Sequence, residues 1–333
     1  MSDQVLLDIQ NLSVGYLTRR GMAQAVQNVN LQIKKNEIVG IVGESGCGKS
    51  TLANAVMRLL PDGAYITEGS IKLEDTDIVT LSGETLRKFR WQEIAMVFQG
   101  AMNVLNPVKT VGSQFQHLLM AHNNAMTKAQ ALERAKELLR LVRIDENRLN
   151  SYAHELSGGM RQRIVIAMAI ALNPKLVILD EPTTALDVIV QRSILAQIVK
   201  LKEEFGFSIM FISHDFNLVA EISNRVAVMY AGRMIELGSS TGKWGEHVHH
   251  PYTKGLIRAV PQLRATDTDE VIGIPGSLPS LLSLPEGCKF HPRCSFAKDI
   301  CKLQSPPIQV IDEIQMECHL SPEELRDLNH ARG

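Results

Sequence analysis

The segment Gly43-Glu44-Ser45-Gly46-Cys47-Gly48-Lys49-Ser50-Thr51 constrains the fold more than any other. It fits G-x-x-x-x-G-K-[ST] and stands between a short apolar run and a helical pattern. Glu37 to Val42 reads as a strand and Leu52 to Leu60 as a helix, so the chain must pass from strand through a glycine turn into helix. Glycines let backbone N–H groups turn toward an anion with no Cβ in the way, and the helix N-terminus adds positive potential. Lys49 would neutralise the β and γ phosphates of a nucleotide and Ser50 would hold Mg²⁺.

The same alternation continues. Leu176 to Leu179 (LVIL) and Ser208 to Ile212 (SIMFI) are apolar runs preceded by helical stretches, Arg161 to Leu172 and Val190 to Phe205. Apolar runs alternating with amphipathic helices predict an α/β fold with a mostly parallel sheet covered on both faces. Between Thr127 and Val142, Ala131, Leu132, Ala135, Leu138, Leu139 and Val142 recur at helical spacing, and the stretch from about Arg87 to Ser157 reads as a helical insertion. After Gly238 proline, glycine and serine become frequent and an appendage begins. The expected division is a domain over 1–240, with a helical subdomain at about 87–157, and a C-terminal domain over 241–333.

Bulk properties exclude several classes. With 333 residues, 45% of them hydrophobic, the chain can bury a full core. Its 35 Lys and Arg balance 36 Asp and Glu, a formal charge of −1, so it lacks the basic excess that binds nucleic acid. The longest apolar run, around Ile164 to Leu172, is about half of the roughly 20 residues that span a bilayer. Met1 to Gln10 carries Asp3 and Asp8 and lacks the pattern of a secretory signal, so the chain is expected to stay in the cytosol.

Two further segments complete the chemistry. LVIL ends in Asp180 and Glu181, which puts carboxylates at the carboxyl edge of a parallel sheet, where ligands bind. Asp180 suits Mg²⁺, and Glu181 suits a general base or water-orienting role toward the γ-phosphate. Leu156-Ser157-Gly158-Gly159-Met160-Arg161-Gln162-Arg163 makes a second glycine turn into a helix, a second anion cradle. It has no lysine and no magnesium ligands of its own, so Ser157 is expected to serve ATP held by a partner chain.

Over residues 5 to 240 these segments, in this order, resemble the ABC transporter nucleotide-binding domain: the phosphate loop, Gln99 in Met96-Val97-Phe98-Gln99, the LSGGMRQR signature, the acidic strand end, Ala185-Leu186-Asp187, and His214 in Ser213-His214-Asp215. The resemblance implies an antiparallel edge sheet beside the parallel core. It implies that Gln99 senses Mg²⁺ and the attacking water, that His214 contacts the γ-phosphate, and that Tyr16 stacks on adenine. It gives Ser157, Gly158, Gly159 and Gln162 to the partner's nucleotide and Asp187 to communication across the dimer. The segment Gln99 to Gly112 is where a permease's cytoplasmic helix is expected to dock. Soluble relatives in DNA repair or translation carry long coiled-coil insertions or two fused cassettes, and this chain shows one cassette and neither feature.

The appendage narrows the family. His250-Pro251-Tyr252-Thr253-Lys254-Gly255-Leu256 and the run Leu284 to Cys294 resemble the C-terminal region of oligopeptide and dipeptide importer ATPases. That group implies a peptide cargo, or nickel or oligosaccharide. It also implies a peripheral place on the cytoplasmic face of the membrane, a related second ATPase, two permeases and an extracytoplasmic solute-binding protein. Four of five cysteines, Cys288, Cys294, Cys301 and Cys318, fall in the last 46 residues with spacing C-x5-C-x6-C-x16-C. In a reducing cytosol such a group favours a metal over disulfides. The resemblance implies a [4Fe-4S] cluster; zinc, aided by His291 or His319, and unliganded cysteines are the alternatives.

Overall fold

The computed structural model describes residues 4–100, 104–184, 186–240, 247–259 and 273–330. The strands are β1 (Val5–Thr18), β2 (Gly21–Lys34), β3 (Ile38–Val42), β4 (Ala64–Leu73), β5 (Thr76–Asp77), β6 (Ile94–Val97), β7 (Leu176–Asp180), β8 (Ser208–Ile212), β9 (Arg225–Tyr230), β10 (Arg233–Ser239), β11 (Ile308–Ile311) and β12 (Ile314–Glu317). The helices are α1 (Lys49–Val56), α2 (Gly83–Gln92), α3 (Val111–His122), α4 (Lys128–Leu141), α5 (Gly158–Ala169), α6 (Val188–Phe205), α7 (Phe216–Ile222), α8 (Pro251–Arg258), α9 (Ile300–Leu303) and α10 (Pro322–His330). Two compact units divide them, one built mainly from Thr80–Phe211 and the other from Leu6–Ile33, Ile38–Val79 and the chain from Ile212 onward.

In the first unit β8, β7 and β6 lie side by side, and β6 runs parallel to β7 with Ile94 opposite Leu176 and Val97 opposite Leu179. Every residue of β7 is buried, as an apolar run with no polar alternation requires. The strand β6 falls inside the stretch read as a helical insertion. Four consecutive buried residues are too short a run for periodicity to separate from helix. The helices α3 and α4 follow it. Thr127 and Gln130 form a reciprocal capping box at the start of α4, which buries Ala131, Ala135, Leu138 and Leu139 as their spacing predicts.

In the second unit an antiparallel sheet runs β2-β1-β4-β5. Beside it stands a second set of strands in the order β11-β12-β10-β9-β3. Here β3 is parallel to β9, and the remaining pairs are antiparallel. The residues after Gly238 therefore add two strands to a sheet, with Glu236 opposite Met316 and Leu237 opposite Gln315. Val248, Ile311, Ile314, Met316, Cys318, Leu320 and Leu325 form a small core of their own. Helix α1 starts at Lys49, three residues earlier than the apolar pattern suggests, and stops at Val56, because Arg58 turns to a positive φ of 54° just before Pro61. Among the described residues no helix is long and apolar enough to cross a membrane.

Candidate active site

The phosphate loop joins β3 to α1 in the second unit. Its glycines are there because nothing else fits. A Cβ on Gly43 would stand 2.2 Å from the Met229 carbonyl oxygen, and Gly48, the residue before α1, holds a φ of +112° with a Cβ position 2.3 Å from the Ala25 oxygen. Backbone atoms on both sides therefore fix the turn. Lys49 is buried, and its ammonium group donates to the carbonyl oxygens of Gly43 at 2.8 Å and Glu44 at 3.0 Å. Cys47 is buried beneath the loop with its Sγ 3.8 Å from Lys49 Nζ, and burial pushes its thiol pKa up against the pull of that ammonium. Ser45 and Gly46 are exposed and Ser50 is half-buried, so the loop's outer surface is open to a ligand. Half-buried Tyr16, on β1, exchanges a hydrogen bond of 3.1 Å with the Thr51 hydroxyl at the start of α1. His214, exposed, follows Ser213 in the turn between β8 and α7.

The carboxylates lie in the first unit. Asp180, buried, is the last residue of β7, and Glu181 follows it with a positive φ of 46°. A non-glycine residue in the left-handed region at the end of a buried strand is a strained position of the kind found where a side chain must be aimed. The amide of exposed Gln99 donates to Glu181 Oε2 at 2.7 Å, and the Thr184 hydroxyl stands 3.2 Å from the same oxygen. The residue expected to sense water and the residue expected to activate it are thus directly bonded. Thr184 escaped the sequence reading, although a threonine three residues past a strand-end acid is suited to this contact.

Ser157, exposed, caps α5 by accepting from the Met160 N–H at 3.3 Å. Gly158 and Gly159 form the first residues of that helix, and Gln162, one turn on, is buried with 2% of its surface exposed. Asp187 caps α6 in the same way, its carboxylate accepting from Val190 N at 2.9 Å. Just beyond it Val188 and Ile189 are exposed apolar side chains. Ala185, and residues 101–103 of the expected permease-docking segment, lie outside the described residues.

Comparison with known proteins completes the picture. The ABC transporter family matches residues 26–184, and the family described as the oligopeptide/dipeptide transporter C-terminal region matches residues 235–301. The probable peptide ABC transporter ATP-binding protein y4tR of Sinorhizobium fredii is 45% identical over 314 residues, 93% of this chain and 92% of that one. The oligopeptide transport ATP-binding protein OppD of Bacillus subtilis is 44% identical over 306 residues, 91% and 85% of the two chains.

The chain belongs to the ABC transporter ATP-binding proteins.

Among solved structures the dimeric ATP-binding cassette MJ0796, bound to ADP and phosphate, is 32% identical with a TM-score of 0.64, covering 72% of this chain and all of that one. The α/β cassette fold is therefore established, and so is the activity: an ABC ATP-binding protein is an ATPase whose substrate is ATP with Mg²⁺.

This ABC ATPase carries contacts that its sequence did not disclose. The Tyr252 hydroxyl accepts from the Glu44 backbone N–H at 2.9 Å, and Arg293 Nη1 donates to both Glu44 carboxylate oxygens, at 2.9 and 3.1 Å. Pairs more than 200 residues apart leave no local signal, although the runs that contain Tyr252 and Arg293 stand out in the sequence. His250 caps α8, its Nδ1 accepting from Tyr252 N at 3.1 Å, and burial lowers its pKa to about 4. Buried Glu236 accepts from His249 Nδ1 and from His250 N, both at 2.7 Å.

The four clustered cysteines form no disulfide, and among the described residues no three His, Cys, Asp or Glu side chains gather closely enough to grip one metal ion. His291 Nδ1 and His319 Nε2 each face a backbone carbonyl oxygen at 2.9 Å, that of Cys288 and that of Gln304. The thiols are nevertheless near one another. Burial pushes Cys318 up to about 12 and Cys294 up to about 11, and neighbouring cysteines add to both shifts. Backbone N–H groups face the sulfurs: Phe290 and His291 at Cys288, Phe296 at Cys294, Leu320 at Cys318, and Lys298 at Cys301, 3.4 Å away.

Proposed function

We propose that this ATPase powers the import of di- and oligopeptides, seated peripherally on the cytoplasmic face of the membrane. Its partners are two permease subunits, a related second ATPase and an extracytoplasmic binding protein. The observation that carries this reading is the presence, in one chain, of the ATP-binding cassette and the oligopeptide/dipeptide transporter C-terminal region, shared with relatives named as peptide transport proteins over more than nine-tenths of the sequence. In it, Lys49 and the loop N–H groups of Gly43 to Thr51 take the phosphates, Tyr16 meets the adenine, and His214 reads the γ-phosphate.

Asp180, Gln99 and Ser50 are hard oxygen donors of the kind that Mg²⁺ takes, and Asp180 is a buried carboxylate at a strand end. Magnesium, when bound, neutralises charge on the phosphates. Glu181 orients the water for attack, held by Gln99 until nucleotide arrives. Ser157, Gly158, Gly159 and Gln162 meet the partner's nucleotide, and Asp187 links the two sites. Gripped from two chains, the γ-phosphate distinguishes closed from open dimers, and its loss on hydrolysis shifts the population toward the open form.

We infer a [4Fe-4S] cluster at the cysteines, with zinc as the alternative. Four thiols stand within electrostatic reach of one another, and N–H groups aimed at the sulfurs are suited to stabilise thiolate charge. Such a cluster, when bound, would cross-link the appendage. Anaerobically purified protein is expected to carry iron and visible absorbance, and iron-free protein prepared in that way overturns this assignment.

The test of the main reading uses Glu181→Gln. Turnover should fall by roughly 10²- to 10⁴-fold, while the variant with MgATP should pair with itself or its sister subunit in light scattering. A strictly monomeric, ATP-saturated variant in both settings refutes the sandwich, and purified transporter that fails to take up peptides into vesicles refutes the cargo.

A further inference from the structure

Two distant parts of the appendage meet at one residue of the phosphate loop. Tyr252 comes from α8, and Arg293 closes the turn His291–Arg293, immediately before Cys294. Tyr252 takes the Glu44 N–H, and Arg293 takes the Glu44 carboxylate with one guanidinium nitrogen. The pair is not a loose surface contact, since the Arg293 side chain is 6% exposed and that of Glu44 is 28% exposed.

The rest of the guanidinium is engaged as well. Arg293 Nε donates to the Pro275 oxygen at 2.8 Å, Nη2 lies 3.5 Å from the oxygens of Ile274 and Gly276, and the Arg293 Cζ sits 5.8 Å from the centre of the Tyr230 ring. Tyr230, Tyr252 and Phe290 pack edge to face at centroid separations of 4.7 to 5.4 Å and join the two parts into one support.

The position of Glu44 gives this clamp its meaning. Its carbonyl is one of the two that Lys49 Nζ bonds. The N–H, the carboxylate and the carbonyl of a single residue are thus tied to α8, to the cysteine-bearing turn and to the phosphate-binding lysine. A cradle for phosphate works by holding its donors in place before the ligand arrives, and the affinity it delivers falls when that order is lost.

We propose that Arg293 is a positioning residue of the ATP site: through Glu44 it holds the phosphate loop in its nucleotide-receiving shape, so that the appendage sets the affinity for ATP. The proposal rests on residues 43–51 being the phosphate loop. It concerns ATP affinity and is independent of the cargo and of what the cysteines bind.

The experiment is a double-mutant cycle in the full chain, with Arg293→Ala, Glu44→Gln and the pair, reading the Kd for MgATP together with KM and kcat. Each single variant should raise Kd and KM roughly ten-fold, the scale of a lost charge-assisted hydrogen bond, with kcat within about three-fold. The double variant should be no weaker than the worse single one, because both act on one pair, Arg293→Ala by removing the donor and Glu44→Gln by removing the acceptor's charge. Arg293→Lys should restore part of the affinity, lacking the fork that also holds the 274–276 carbonyls.

Kd values within about two-fold of native for both singles, or two effects that add in the double variant, overturn the proposal. Where Arg293→Ala fails to fold, Glu44→Gln, which keeps the appendage intact, decides by the same Kd criterion. Lys49→Ala in parallel separates the two levels: if it leaves ATP binding unchanged, the phosphate-loop reading itself has failed and the clamp with it.

Discussion

Two glycine turns in this ATPase lead into helices, and they are built in opposite ways. The phosphate loop is pressed on both sides by its own chain, with backbone oxygens of Met229 and Ala25 where a side chain would begin, a buried lysine and an appendage gripping Glu44. The signature turn starts at exposed Ser157, has no lysine, and would bring a Cβ on Gly159 to 3.0 Å from Val190 Cγ1, a side-chain atom. A cradle finished by its own chain can bind alone. One whose N–H groups stand at a helix start without a lysine suits, in the proposed sandwich, a ligand that arrives already held.

The largest effect expected from this difference comes from adding one methyl group to each turn. Gly43→Ala drives a Cβ into a backbone oxygen and the Cys47 sulfur and should cost about 3 kcal/mol or more of stability together with ATP binding. Gly159→Ala lies in a helix, where alanine is favoured by about 1 kcal/mol, so its stability should stay within that margin of native. Its defect should appear in ATP-dependent pairing alone. Chemical denaturation beside nucleotide titration measures both, and equal loss of stability at the two positions breaks the comparison.

The same contrast explains what the sequence made legible. The phosphate loop, the buried strand ending in Asp180 and the capped helix after Ser157 are local, so residue spacing reveals them. The long strands β1 and β2 were passed over in the residues, although part of β2 carries a signal. From Asn28 to Ile33 exposed polar and buried apolar residues alternate strictly, the period of a half-buried strand, a different pattern from the continuous apolar run that marks β7. The strand Ile94–Val97 was hidden by its length, and the bond from Gln99 to Glu181 by the 82 residues between them. The appendage read as irregular because its order comes from distant partners: β12 pairs with β10, and Arg293 finds Glu44 across 249 residues.

A smaller effect should follow pH, because the support behind the phosphate loop includes a buried neutral histidine and the signature turn has no such element. His250 accepts a hydrogen bond through Nδ1 and so must be unprotonated; around it stand Glu236, the Tyr252 N–H and the Phe290 ring. Burial lowers its folded pKa to about 4 from an unfolded value of about 6.5. Between these values the unfolded chain binds the extra proton. The contribution is therefore complete above pH 6.5 and fades as pH falls toward 4, by about 3 kcal/mol at most. His250→Asn keeps an acceptor for the Tyr252 N–H and does not titrate. Native protein should lose about 2 kcal/mol more than this variant between pH 7 and pH 5, and parallel unfolding curves for the two would show that the histidine is not held neutral.

The smallest effect falls on the open cradle itself. Ser157 has two possible employments: its hydroxyl oxygen already accepts from Met160 N to cap α5, and the same group is the one that would face a partner's phosphate. Ser157→Ala removes the cap and should lower stability by about 1 kcal/mol. The affinity of the isolated monomer for ATP should stay native, since the chain's own nucleotide is proposed to lie at Lys49. Mixing this variant with Lys49→Ala then separates the roles. A mixed pair holds one interface with both halves intact, a native phosphate loop from the Ser157→Ala chain opposite a native signature turn from the Lys49→Ala chain, whereas neither variant alone can form one. ATP-dependent pairing in the mixture and not in either variant alone is the expected result. Pairing that is equally weak in all three would mean that the signature turn is an ordinary helix cap and that closure depends on other surfaces.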